Sequence, residues 1–541
     1  MSFEQNEHFR HGSARPSTAD DVEQAGYFKG SMNAFLVGHL NGRAVKFSGQ
    51  GSGLVIAGAR GGKGSLLGFS LADGAFGNHL VSLDPKAEGA YCFQNQAASG
   101  KYNISWNPAG LLGLPQHRIN PVDYIRADSP SVVADAAVWA ENWMPPTGAS
   151  NAVYFESRGR EKLTAFALTL AELDGALTLP RLYEVVNAFV AGESAWLDFA
   201  FEMSESRFPL CRRVEAEIAT ARENPSGGFH GIVGELLRSF SCLADPMLMA
   251  SVSPPYDFSF ADLCFSAGSG KPVYKVDLCP PAEYLSTWAP VIRSMFTAGM
   301  IYKARSPVAR PQTWVLDECA QLGSFPLVPK LFVYGAGIGI RPWAIYQTTQ
   351  QMALTGSNVE AIITSSAAVR SYFAVRDLSS AQTVSRMLGA QTLEYNDDVA
   401  HQQARRGQQE ALSALLSGGD PLDAALRFDH FTKAEAHRSK QQRWLRTPDE
   451  ILNTPPGYQY LFMDGLPGGL YAERRNYYEA RECAGRFHPN PYQQSDLSRV
   501  KVKTRFGWEW RRVIREKVPP RFAHLPQYAG GEWSYVEGFK P

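Results

Sequence analysis

Residues 52–65 constrain this chain more than any other stretch. Ser52-Gly-Leu-Val-Ile-Ala57 is a short apolar run with β-branched residues, and it ends in the cluster Gly58, Ala59, Arg60, Gly61, Gly62, Lys63, Gly64, Ser65. Leu66 to Ala72 then read as the start of a helix. Strand, glycine loop, lysine and helix, in that order, are what a phosphate cradle needs. Glycines able to take positive φ turn backbone N–H groups inward. A helix N-terminus stands behind them and one lysine reaches the terminal phosphates. The strict G-x-x-x-x-G-K-[ST] pattern is not met, because Ala57 holds the first glycine slot and Gly64 the hydroxyl slot. Ser65, one residue on, is the candidate magnesium ligand, directly or through water. Taken alone, the segment also reads as a simple glycine-rich turn.

Two later strand ends carry matching chemistry. Trp314-Val-Leu-Asp317-Glu318 is an apolar run closing on two acids. At such an end the first acid holds magnesium and the second polarises an attacking water; a strand merely capped by acids is the alternative. Ala344-Ile-Tyr-Gln347 ends on a lone glutamine, read either as a sensor of the terminal phosphate or as an exposed turn residue. Arg370 and Arg376 flank another apolar run, and either is a candidate arginine finger for a neighbouring subunit. Cys319 reads as a small core-facing residue rather than a nucleophile.

Strand-like runs recur at 79–84, 272–278, 313–317, 341–346, 369–375 and 458–463, with helical spans such as 282–305 between them. This alternation predicts a mostly parallel sheet with helices on both faces. Between 120 and 250 the periodicity is helical instead, at 131–143, 154–173, 179–190 and 231–243, and is read as an inserted all-α segment. The expected divisions are a lead-in at 1–46, a first nucleotide-binding part at 47–120, an all-α domain at 121–250, a second nucleotide-binding part at 251–490 and a tail at 491–541. Residues 395–445 are polar and Gln-rich and read as a mobile loop. The N-terminus lacks the apolar core of a secretory signal, and no run of about 18 apolar residues predicts a membrane span. The seven cysteines include no C-x-x-C pair, so reduced, mostly buried thiols are expected.

Taken together, these motifs resemble those of the coupling ATPases of type IV secretion, the TraG-like conjugation proteins, over residues 50–490. Ala57–Gly64 is similar to the family's Walker A, where glycine commonly follows the lysine. Val81-Ser-Leu-Asp-Pro-Lys-Ala-Glu88 resembles its Asp-Pro-Lys-Gly-Glu motif, with Ala87 in the glycine's place, and Asn107-Pro108 follows it. Leu316-Asp-Glu-Cys-Ala-Gln-Leu-Gly323 resembles the Asp-Glu-Phe-x-x-Leu-Gly block, and Gly337–Ile340 through Gln347-Thr-Thr-Gln-Gln351 the segment leading to the sensor glutamine. Tyr372–Asp377, Ala381–Gly389, Arg446–Glu450 and Tyr477-Tyr478 fit later blocks.

The resemblance implies an α/β RecA-like P-loop NTPase fold with an all-α domain inserted between the Walker motifs, ATP and Mg2+ as ligands, and a homo-hexamer with ATP between subunits. It implies a role in passing single-stranded DNA bound to relaxase, or an effector protein, to the secretion channel. The place would be the cytoplasmic face of the inner membrane. Family members usually begin with transmembrane helices; their lack here implies either a soluble branch that docks on a membrane partner or an anchor absent from this polypeptide. An FtsK-like or HerA-like DNA pump and a non-hydrolysing recruiting adaptor are the rival readings. Lys+Arg and Asp+Glu balance at 53 each, so attraction to nucleic acid or membrane must come from a local patch. One such patch is 499–521, where nine Lys/Arg face two Glu and Phe506, Trp508 and Trp510 are interleaved; DNA, anionic lipid and an acidic partner all fit it, as does a solvated strand pair.

Overall fold

Apolar runs bounded by glycine and proline become the strands of one large sheet. The computed structural model describes residues 9–30, 34–64, 78–94, 101–147, 152–192, 194–223, 227–266, 268–395, 397–436 and 438–541. In chain order the sheet strands are β1 (Phe35–Leu40), β2 (Arg43–Phe47), β3 (Ser52–Ala57), β4 (His79–Leu83), β5 (Tyr102–Trp106), β6 (Tyr274–Leu278), β7 (Gln312–Leu316), β8 (Ile340–Tyr346) and β9 (Ala367–Phe373). After the two-stranded ribbon β10 (Ala390–Tyr395) and β11 (Ser439–Trp444) come β12 (Tyr458–Met463) and β13 (Leu470–Glu473). The eleven-stranded order is β2-β1-β13-β12-β9-β3-β8-β7-β4-β6-β5. From β9 to β5 every pairing is parallel, and from β9 to β2 every pairing is antiparallel. β3, β4, β7 and β8 are buried along their whole length, as parallel strands covered on both faces must be.

The run expected to be helical is helical. Helices span Val132–Trp143, Val153–Asp174, Leu179–Ala191, Ser194–Glu205, Pro209–Glu223, Gly227–Phe240 and Pro246–Ser251. Their apolar faces share one core with the sheet and with helix Ala289–Arg305. The joint between them is polar and specific. Buried Arg293 donates to the carbonyls of Asn142 (2.6 Å) and Trp143 (2.9 Å), the last turn of helix Val132–Trp143, and to that of Leu322 (2.7 Å). One guanidinium thus satisfies two carbonyls that a helix end leaves orphaned and ties them to the turn that follows β7.

Three expectations need correction. The stretch 1–46 is not only a lead-in, because β1 and β2 form a hairpin at the sheet edge. Its turn is Asn41-Gly42, both at positive φ (51° and 76°), the combination a two-residue hairpin turn requires. Residues 395–445 are not a loop. Helices Asp398–Leu416 and Pro421–Ala436, in the connection between β10 and β11, pack against each other. They approach closely at Gly407, where a Cβ would lie 2.5 Å from the Phe431 ring. The tail at 491–541 is folded, and the strand pair allowed for 499–521 is what forms there. Its strands make a meander of β14 (Arg499–Thr504), β15 (Gly507–Lys517) and β16 (Glu532–Val536). The connection between β15 and β16 covers the open edge of β5, where the Gln527 side chain accepts from the Asn103 N–H at 3.0 Å and donates to the Lys101 carbonyl at 2.8 Å.

Candidate functional site

The carboxyl ends of β3, β8 and β7, three neighbours in the sheet, bring the chemistry together. After β3 the chain turns tightly: the Gly61 N–H donates to the Gly58 carbonyl at 3.0 Å, Arg60 and Gly62 stand at φ 58° and 81°, and helical conformation begins at Lys63. The segment after β9 presses on this turn. A Cβ on Gly58 would lie 2.4 Å from the Ala374 carbonyl oxygen, and one on Gly61 would lie 2.7 Å from the Ala374 Cβ. Only glycine fits either place. Ser65 and the expected helix start at 66–72 lie outside the described residues.

Lys63 crosses from this turn to the end of β7, where its Nζ donates to Glu318 Oε1 at 2.6 Å. Gln347, at the end of β8, donates its amide to both oxygens of the same carboxylate, at 3.2 and 3.1 Å. The Gln347 N–H in turn donates to the Gln351 side chain at 2.9 Å, which ties the end of β8 to the turn that follows it. Glu318 itself stands at φ 51°, a left-handed backbone that costs a non-glycine residue about 1–3 kcal/mol. Its N–H donates to Asp317 Oδ1 at 3.0 Å. Burial pushes the Asp317 carboxyl up to about 6; the Lys63 charge opposes that shift and the Glu318 charge adds to it. A single strand-end aspartate fits Mg2+, which takes one or two carboxylates and completes its shell with water and substrate phosphates.

The loop after β4 closes the other side. Asp84 accepts from the N–H groups of Glu88 (3.1 Å) and Ala90 (2.8 Å), and burial raises it to about 7. Ala87, in the place where the resembled motif carries glycine, stands at φ 53°. The family's glycine is thus explained by backbone conformation, and alanine holds the same strained geometry. A cavity of about 60 Å³ lies between this loop and the phosphate turn, lined by Gly64, Ser82, Asp84, Glu88, Asp317 and Tyr477. Below it, Ser82 and Lys275 both donate to Asp277 (2.6 and 2.7 Å), locking β6 to β4.

The two candidate arginines separate. Arg376 lies at the turn, its stem within 3.5 Å of a Cβ position on Gly58 of its own chain. Arg370 is not brought there. It pairs in register with Leu54, whereas Phe373 pairs with Ala57 at the strand end. Its guanidinium donates to the Thr364 carbonyl at 3.2 Å and sits over the Phe462 ring. Sequence reasoning missed Arg474, just beyond β13. It donates to the Gly62 carbonyl at 3.0 Å and its guanidinium lies 4.5 Å from the Phe373 ring centroid. The only signal was a basic pair, Arg474-Arg475, at the end of a short apolar run.

A parallel sheet that carries a lysine loop on one strand, an Asp-Glu pair two strands away and a polar residue on the strand between them is that of a RecA-like P-loop NTPase. The chain belongs to the type IV secretory system conjugative DNA transfer family, whose model matches residues 15–414. Among solved structures it is similar to the bacterial conjugative coupling protein TrwBdeltaN70 in complex with sulphate, at TM-score 0.59 and 15% identity over 85% of this chain and 93% of that one. It is also similar to TrwB in complex with the GTP analogue GDPNP (TM-score 0.57, 15% identity, 87% and 98% covered). A third is TrwB in complex with ADP and Mg2+ (0.55, 16%, 86% and 94%). No curated protein matches by sequence. Among the described residues no helix is long and apolar enough to cross a membrane.

Proposed function

We propose that this protein is the coupling ATPase of a type IV secretion system, using ATP hydrolysis to pass DNA toward the secretion channel. The observation that carries the proposal is the convergence of Lys63, Gln347 and Asp317 on Glu318 across three adjacent strand ends. The backbone N–H groups of Gly58, Ala59, Arg60, Gly62 and Gly64, with the Lys63 ammonium, bind the phosphates, while the Gly61 N–H shapes the turn through the Gly58 carbonyl. Asp317 and Ser65 would hold Mg2+, which would neutralise phosphate charge. Glu318 accepts a proton from, and orients, the attacking water once its oxygens are released by Lys63. Gln347 reads whether a terminal phosphate is present through the same carboxylate it now binds. Arg376 stands at the phosphate turn of its own chain and is the better placed of the two arginines to stabilise transferred charge. The reading includes a homo-hexamer, cargo in the form of single-stranded DNA with relaxase or an effector protein, and a peripheral position held by a membrane partner.

Steady-state ATP hydrolysis by the purified protein, with and without single-stranded DNA and beside Glu318→Gln, tests this. Hydrolysis that rises with DNA and disappears in the variant is expected. An assembled ring that hydrolyses nothing under either condition overturns it.

A further inference from the structure

The meander at residues 499–536 has two unlike faces. Val500 and Val502 point inward, join a core with Cys483, Phe487 and Val536, and are essentially inaccessible. The opposite face of β14–β15 is built from cross-strand pairs: Lys501 opposite Trp510, Lys503 opposite Trp508 and Arg499 opposite Arg512. Phe506 sits at the turn. Trp508 is 42% exposed, Trp510 53% and Phe506 91%, so three large rings face solvent on one rigid hairpin. Cations stand over those rings: Arg499 lies 5.0 Å from the Trp510 centroid, and Lys501 and Lys503 lie 5.3 and 5.0 Å from that of Trp508. Arg512 is paired with Glu537 and Arg499 with Asp496, but none of the ion pairs among the described residues involves Lys501, Lys503 or Arg505.

We infer that this face binds single-stranded DNA, an inference that rests on the reading of the protein as a DNA-coupling motor. Ammonium groups that stand over the rings without a carboxylate partner can turn to phosphates, and the exposed rings they uncover offer stacking platforms that any base accepts. The two tryptophans are two residues apart on one strand face, about 6.6–6.8 Å, close to twice the 3.4 Å rise per nucleotide of a stacked strand. An extended strand with its bases splayed onto the rings meets that spacing. Two of the three rings, Trp508 and Trp510, stand along the strand face opposite Lys503 and Lys501, and only Phe506 occupies the tip that a bilayer-inserting hairpin would bury. The surface is also tied to the candidate nucleotide site. β14 packs on the turn Tyr477–Glu479, and Tyr477 lines the cavity beside Gly64 and Asp317. Two packed layers, the hairpin and the Tyr477–Glu479 turn, therefore separate a strand lying on this face from the cavity beside Gly64 and Asp317.

The test is fluorescence anisotropy of a labelled oligo-dT with the full chain at several salt concentrations. Each stacked ring contributes about 1–3 kcal/mol, so Trp508→Ala/Trp510→Ala is expected to weaken binding at least tenfold, while Trp508→Phe/Trp510→Phe keeps most of it. Lys501→Ala/Lys503→Ala is expected to lower the slope of log K against log salt by about 1.4, at roughly 0.7 per phosphate contact on a single strand. Basal ATP hydrolysis without DNA is read alongside. Patch-dependent DNA binding without hydrolysis would sustain this face and overturn the motor reading. Wild-type affinity and salt slope in both variants overturn the inference. So does loss of binding to phosphatidylserine vesicles in the variants with oligo-dT binding intact, which would make the face a lipid contact.

Discussion

Glu318→Gln should tighten nucleotide binding, although it removes a charged partner of the P-loop lysine. The Lys63 ammonium and the Glu318 carboxylate are 2.6 Å apart, with side chains only 13% and 26% exposed. At an effective dielectric of about 20, their gross attraction at this distance is about 6 kcal/mol. Desolvation of both groups leaves a net contribution of about 1–2 kcal/mol. A phosphate that takes the lysine must first break this pair, so the pair competes with the ligand. The amide of glutamine keeps the shape and a neutral hydrogen bond but not the charge. Recovery of about 1–2 kcal/mol corresponds to roughly 5- to 30-fold tighter binding. The assay is a titration of a fluorescent ADP without Mg2+, so that coordination at Asp317 does not enter. Gln347→Met, which removes only the neutral partner of the same carboxylate, is the control and should shift affinity by less than about threefold. Equal or weaker binding by Glu318→Gln would refute the idea that the carboxylate holds the lysine away from phosphate.

Four other outcomes follow from the geometry. Arg474→Ala removes the donor to the Gly62 carbonyl and should weaken ADP binding about tenfold with an unchanged thermal midpoint. Arg293→Met leaves three buried carbonyls without their donor and should cost about 3–5 kcal/mol, read as a lower urea midpoint. Ala87→Gly relieves a left-handed alanine and should raise stability by about 0.5–1 kcal/mol in the same assay. His79 is buried and accepts the Tyr274 N–H at its Nδ1, and burial lowers its pKa to about 3. The unfolded chain therefore binds a proton near pH 6.5 that the folded chain refuses. The stability this group contributes is complete above pH 6.5 and is lost as pH falls, by about 2 kcal/mol between pH 6.5 and 5. Urea denaturation of His79→Asn across that range should show a correspondingly flatter slope.

The parallel strands were legible because strands buried on both faces must be continuous apolar runs. β3, β7, β8 and β12 stand within a residue or two of the runs read for them. Glu318 and Gln347 were legible for a related reason, since each is a polar residue just past the end of such a run, and Lys63 because it follows the glycine cluster after one. The hairpin of β1 and β2 was overlooked although Asn41-Gly42, a direct hairpin signal, lay between its strands. Helices Asp398–Leu416 and Pro421–Ala436 were hidden because each buries little except against the other, so neither shows a broad apolar stripe. Arg474 was invisible for a different reason. Its contact with Gly62 spans 412 residues and depends on β13 lying near β9, which no local pattern encodes. The register that takes Arg370 away from the phosphate turn was equally unreadable, because a strand's sequence does not say which neighbour's end it reaches.

The edge hairpin also sets a timetable for synthesis. β1 exposes Phe35, Leu36 and Val37 as soon as it emerges, yet its far side pairs only with β13. The Gln459 amide that donates to the Val37 carbonyl comes 422 residues later. At about 5–20 residues per second, the ribosome takes roughly 20–85 s to deliver it. Throughout that interval the nascent chain carries an apolar strand with a vacant hydrogen-bonding edge. Whatever shields that edge, a chaperone or a transient partner, determines how much of each translated chain reaches the native sheet.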